Sequence, residues 1–179
     1  STNLIMEKQK NTTAKTALIF GVLLGAINII YGLMLFSLEM HIQKNTTSNV
    51  IGYVIFISLI IWGIVDYRNK NQGSLKLSDA LKTGLGISLI SSIVLAIYLV
   101  IFIKFIDPDF IEETLKISRQ TILQEQPEIS EENVNQMIEM QKKFVGPFMI
   151  SSFMIIFNLF FGFIISLIGG LLLKKSPTE

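Results

Sequence analysis

The chain has 179 residues, of which 50% are hydrophobic and 16% are charged, and its formal net charge is +1. This balance is typical of a protein that lies in a lipid bilayer, and the near-neutral charge gives no indication of a nucleic-acid partner. Cysteine is absent, which excludes disulfides, thiolate metal sites and a cysteine nucleophile.

Four long segments contain no Asp, Glu, Lys or Arg, and each approaches or exceeds the roughly 20 helical residues that cross a bilayer. A water-soluble helix of this length would carry polar residues every third or fourth position, whereas these segments are apolar all round. The sequence therefore predicts an all-α fold, a four-helix transmembrane bundle that forms a single membrane domain over residues 1–179. The predicted spans are about 16–38, 48–66, 83–104 and 147–173.

The first span carries small residues on one helix face, which is how transmembrane helices approach each other closely. This face consists of Ala17, Gly21, Gly25, Asn28 and Gly32. The second span has fewer small residues and more Ile and Phe, so we expect it to be the most lipid-exposed span or to face a partner. A turn-forming segment follows, and we predict that Ser78 and Asp79 cap the third span.

The third span repeats small residues at every fourth position, at Gly84, Ser88, Ser92 and Ala96. Residues 107–145 follow and form the one sizeable segment outside the predicted spans. Asp107 and Pro108 are typical of a helix N-terminus, and Ser130 is typical of a second one after Pro127. Apolar residues recur at helical spacing in both parts, so we predict an amphipathic helical hairpin between spans three and four.

The predicted hairpin is acidic, because residues 107–145 contain nine carboxylates and four basic residues. Such a surface is compatible with a solvated connector or with a docking surface for another protein. The candidate docking residues are Glu112, Leu115, Glu131 and Met137.

The fourth span follows Gly146 and Pro147 and also has a small-residue face, so the faces of spans one, three and four should meet in the bundle centre. Asn28 and Asn158 are the only amides deep in the spans, and each needs a partner because an unsatisfied amide in hydrocarbon is costly. These polar residues could serve either of two roles, namely helix packing or a polar path for an ion or small solute. The candidate residues are Asn28, Ser88, Ser92, Asn158, Gly162 and Ser166.

Motifs for catalysis are not visible, since the chain has no HExxH, no GxSxG and no phosphate-binding glycine loop. We therefore expect no enzymatic activity, no cofactor and no metal. His41 is the single histidine, and with Glu39 we expect it to be solvated beyond the first span.

Basic residues near span ends indicate the cytoplasmic side of a membrane. The N-terminal segment, the second loop and the segment after the fourth span are basic, whereas the first loop offers Lys44 alone and the hairpin is acidic. Both termini are therefore predicted to be cytoplasmic.

Four segments of the chain resemble a family of small four-span membrane proteins from Bacteroidota, catalogued as domain of unknown function 4199. They are 73–84 (GSLKLSDALKTG), 107–110 (DPDF), 143–147 (KFVGP) and the ending 166–175. The resemblance covers nearly the whole chain, although Asp79 stands where a Glu is more usual. It implies four helices and a bacterial cytoplasmic (inner) membrane, and it supplies no activity and no site residues.

The sequence favours a non-enzymatic accessory or scaffold subunit of a larger inner-membrane complex, which docks through the acidic hairpin. The alternative is a channel or facilitator for a small solute with a polar path through the bundle. The expected partners are the lipid bilayer and either a membrane protein or a second copy of the chain.

Overall fold

The computed structural model describes residues 2–42 and 46–175, with side chains from Thr12 onward. Lys44 and the side chains of Lys8 and Lys10, which entered the prediction of orientation, lie outside the described residues. The helices are α1 (Thr2–Ser37), α2 (Thr46–Lys70), α3 (Leu77–Ile101), α4 (Phe110–Glu125), α5 (Glu131–Lys142) and α6 (Pro147–Leu173). A π-helical turn, Phe102–Ile106, continues α3.

Four of these helices are long and apolar enough to cross a membrane, namely Thr12–Ser37 of α1, α2, α3 with its π-helical turn, and α6. Helix is the structure that apolar segments adopt in lipid, because it satisfies every backbone polar group internally. The prediction of an all-α bundle of four spans with a helical hairpin between the last two is confirmed.

The helix bounds differ from the predicted spans where helices extend into polar sequence. α3 begins at Leu77 with Lys76 as its N-cap, so the predicted cap at Ser78 and Asp79 is wrong. In the turn before it, Gln72 and Gly73 adopt positive φ angles of 57° and 77°. α6 matches its predicted span, with Pro147 at its first turn.

Helix α3 is the centre of the bundle, because its most extensive contacts are with α1 on one face and α6 on another. α1 and α6 make almost no direct contact with each other in the described part of the chain. The small-residue face of α3 meets that of α6, whereas Gly21 and Gly25 of α1 pack against Ile90 and Val94 of α3. The expectation that all three small-residue faces converge on one centre is therefore wrong, because α1 packs against a face of α3 that carries β-branched side chains.

Helix α2 packs through large side chains into the groove that α1, α3 and α6 leave. The buried residues of α2 are Phe56, Leu59, Ile60, Gly63, Ile64 and Tyr67. Its large apolar residues thus fill a groove, and that this span is the most lipid-exposed or faces a partner stays a prediction.

A short antiparallel bridge ties the end of α6 to the loop between α2 and α3. The amide of Leu75 donates to the carbonyl of Lys175 at 2.9 Å, and the amide of Lys175 donates back at 3.1 Å. Arg68 also donates to the carbonyl of Leu173, 3.4 Å away, at the negative end of the α6 dipole. We call this side the basic end of the bundle, defined by Arg68, Lys70, Lys76, Lys82, Lys174 and Lys175.

The hairpin of α4 and α5 lies at the opposite side, which we call the hairpin end. Ser130 caps α5 by accepting a hydrogen bond from the amide of Asn133, as its position in the sequence indicates. α4 begins two residues later than predicted, with Asp109 as its N-cap and no bond from its side chain. Asp107, predicted to be the cap, binds His41 instead.

Candidate functional site

A cavity of about 370 Å³ lies in the half of the bundle nearer the hairpin end and is partly open at the surface. It forms where α1 and α6 flank α3 without touching and α2 does not fill the space between them. Both deep amides, Asn28 and Asn158, line it. The other lining residues are Tyr31, Leu35, Ser48, Asn49, Gly52, Tyr53, Phe56, Leu95, Met154 and Phe161.

Asn158 of α6 is held by a chain of hydrogen bonds that crosses to α3. Its Nδ2 donates to Oγ of Ser92 at 3.0 Å, and the Ser92 hydroxyl donates to the carbonyl of Ser88 at 2.6 Å. Because the single hydroxyl proton of Ser92 is used on Ser88, Ser92 can only accept from Asn158. This fixes the amide orientation of Asn158, with its second N–H and its carbonyl oxygen free of partners among the described residues.

Asn28 of α1 uses one N–H in a bond to the carbonyl of Leu24 at 3.0 Å. As with Asn158, no described residue donates to its carbonyl oxygen. Three residues further along α1, the hydroxyl of Tyr31 donates to the carbonyl of Ser48 at 3.0 Å and holds the start of α2 beside the cavity. The cavity therefore contains two amides whose polar capacity is only partly used.

The remaining predicted polar residues lie beyond the cavity, in a close contact between α3 and α6. A methyl group added at Gly162 would overlap the Ser88 side chain, and one added at Gly84 would overlap Ser166. Ser88 and Ser166 are fully buried, and each hydroxyl donates to the carbonyl four residues earlier in its own helix. These residues pack helices, and in this conformation they leave no space for a solute.

The candidate docking residues of the hairpin fall into two groups. Glu112 and Met137 are exposed, as is Glu131, which pairs with Arg119 at 2.6 Å. Leu115 packs against the core of the hairpin, so it supports the hairpin and does not face outward. That core consists of Ile122, Val134 and Ile138.

His41 was expected to be solvated, and that expectation is wrong. Its side chain is 15% exposed, and its Nε2 lies 2.9 Å from Oδ2 of Asp107. The ring packs among Phe36, Phe102 and Phe110. This cluster fastens the loop after α1 to the π-helical turn and the start of the hairpin, and no pattern along the chain could pair residues so far apart.

Among the side chains that the structure describes, in residues 12–42 and 46–175, no three His, Asp or Glu come together in a group that could hold a metal ion. The lining of the cavity likewise consists of uncharged residues.

Four apolar helices around an uncharged cavity define a multi-pass α-helical membrane protein. The family described as a protein of unknown function (DUF4199) matches residues 19–175, so the chain belongs to this family. No curated protein and no solved structure matches the chain.

Proposed function

We propose that this protein is a non-enzymatic accessory or scaffold subunit of a larger assembly in a bacterial inner membrane, and that it binds a partner through its hairpin. The observation that carries the proposal is an acidic hairpin with a small core of its own, joined at its base to one end of a closely packed bundle. A membrane domain that holds one soluble element in a defined position is suited to present a docking surface.

Contacts within the hairpin and at its base hold it in this conformation. Arg119 of α4 bonds Glu131 at 2.6 Å and Asn135 at 2.5 Å, and the Ser118 hydroxyl donates to Gln141 at 2.8 Å. The aromatic cluster around His41 fixes the base. A preorganised surface loses little conformational entropy when it binds, which favours affinity.

The charge of the hairpin indicates the kind of partner. Glu112, Glu113, Glu125, Glu128 and Glu132 take part in no ion pair among the described residues, and all are exposed. Met137 and Met140 are also exposed on α5. The proposed partner is therefore a membrane protein with a basic surface and an apolar centre that contacts the methionines.

Crosslinking in the native membrane tests the docking proposal. A photoreactive residue at Glu112 or Met137 should yield a discrete adduct with another protein, whereas one at exposed Asn69 on the basic end should not. Replacing Glu112, Glu113 and Glu132 by Gln should reduce the adduct at Met137, and replacing exposed Lys76 and Lys82 by Gln is the matched charge control. Equal adducts at hairpin and basic-end positions, or none at the hairpin, would contradict the proposal.

A channel or facilitator for a small solute is the second candidate, and the cavity is the observation that favours it. Asn28 and Asn158 would form the start of a path from the hairpin end. Conduction would require α3 and α6 to separate at Ser88 and Gly162, where they pack closely. Solute flux into vesicles that contain the purified protein tests this candidate.

A further inference from the structure

We propose that the cavity between α1, α2 and α6 binds the headgroup of an uncharged amphiphile that bears hydroxyl or amide groups and enters from the bilayer. This inference is independent of docking by the hairpin. It rests on three features, which are the unused polar atoms of two fixed amides, the uncharged lining and an open entrance at Gly52.

The amides give the site its polar chemistry. Each of Asn28 and Asn158 has one N–H in an internal bond, which leaves a second N–H and a carbonyl oxygen without partners among the described residues. Partly used amides at membrane depth favour a ligand that both donates and accepts hydrogen bonds. Hydroxyl and amide headgroups do both, whereas a hydrocarbon does neither.

The lining selects against charged headgroups. Its polar residues are Asn, Ser and Tyr, and no Lys, Arg, Asp or Glu borders the cavity. An ion in this environment would lose its hydration without gaining a countercharge. The volume of about 370 Å³ lies in the lower part of the usual range for small-molecule sites, about 300–1,000 Å³, and suits a compact headgroup.

The entrance lies on the lipid-facing surface between α2 and α6. Tyr53 and Phe161 line the cavity and are 60% and 44% exposed, so they stand at its border with the bilayer. A Cβ atom built at Gly52 meets nothing within 4 Å, which marks open space beside the backbone of α2. An acyl chain can therefore leave the cavity past Gly52 while the headgroup stays between the amides.

Photolabelling of the full chain in phosphatidylcholine vesicles tests the inference. The probe is 1-oleoylglycerol with a diazirine in its acyl chain, and labelled peptides are identified by mass spectrometry. We expect labels within 48–56 and 154–161. Gly52→Phe fills the entrance and should abolish these labels, whereas Ser58→Phe, on an exposed part of α2, should leave them unchanged.

The headgroup sites are tested by Asn28→Leu and Asn158→Leu. Each should lower labelling by about tenfold, because loss of a hydrogen bond to the ligand changes a binding equilibrium by roughly that factor. If a variant fails to fold, competition on the unmodified protein decides. Unlabelled 1-oleoylglycerol should displace the probe, and the same chain on glycerol phosphate should not.

Two results would overturn the inference. Equal labelling by a diazirine-bearing alkane would show that the site holds only surrounding lipid. Equal competition by the phosphate-bearing lipid would show that the site does not distinguish charge.

Discussion

Nε2 of His41 lies 2.9 Å from Oδ2 of Asp107, and this bond joins the loop after the first span to the segment where the hairpin begins. Both side chains are largely buried, at 15% and 13% exposure, beside three phenylalanine rings. The backbone amide of Asp107 also donates to the carbonyl of Phe102 at 2.9 Å, so the same residue closes the π-helical turn.

Asp107→Asn should loosen the hairpin without unfolding the bundle. A bond to a charged group contributes about 1.5–3 kcal/mol, so amide hydrogen exchange in α4 and α5 should accelerate while α3 and α6 remain protected. His41→Ala should have the same effect. Glu139→Gln, which removes the exposed pair with Lys142, is the control and should change little. Unchanged exchange in Asp107→Asn would show that the bond between His41 and Asp107 does not hold the hairpin.

Gly162→Ala should destabilise the bundle because the new methyl group overlaps Ser88. Overpacking of this kind lowers the free energy of unfolding by about 1–3 kcal/mol. The higher helix propensity of alanine offsets about 1 kcal/mol of that loss. Gly52→Ala adds the same methyl group in open space and should be neutral or slightly stabilising. Unfolding in mixed micelles measures both.

The double variant Gly162→Ala with Ser88→Gly should regain part of the lost stability. Removing the Ser88 side chain restores space at the point where the new methyl group lies between α3 and α6. The effects of the two substitutions on stability should therefore not be additive. Additive losses would mean that Ser88 is not the residue against which position 162 packs.

How the helices pair could be predicted from the sequence only in part. The spacing of Gly84, Ser88, Gly162 and Ser166 indicates faces that approach closely, because helical periodicity is a property of each segment alone. Which residue meets which depends on the register between two helices, and that register is set by the whole packed bundle. The cavity could not be predicted from the sequence, because it exists where α1 and α6 do not contact each other.

The polar interactions at helix ends could likewise be predicted from the sequence only in part. Ser130 caps α5 as its local sequence indicates, because a cap involves residues three positions apart. Asp107 has an equally typical cap sequence, yet its side chain binds a histidine from another loop. A local pattern therefore succeeds only when no distant partner competes for the same side chain.

Ser92→Ala and Asn158→Leu should be coupled in their effects on stability. Hydrogen bonds between transmembrane helices contribute about 0.6 kcal/mol on average and about 1.7 kcal/mol at most, and a double-variant cycle in mixed micelles measures this coupling. The hydroxyl of Ser91 donates to the same carbonyl of Ser88 as Ser92 does, so Ser91→Ala with Asn158→Leu is the matched control cycle. A coupling energy near zero for Ser92 would contradict the chain of bonds that orients Asn158.

The absence of cysteine makes the orientation of the chain directly measurable. Asn69 at the basic end and Gln124 on the hairpin are exposed, so single cysteine substitutions there should be tolerated. Because basic residues are retained in the cytoplasm, a maleimide that cannot cross membranes should label Gln124→Cys in intact spheroplasts. Asn69→Cys should react only after the membrane is permeabilised, since it lies beside Arg68 and Lys70. The reverse labelling pattern would place the acidic hairpin in the cytoplasm, and its proposed basic partner would then have to be sought on that side.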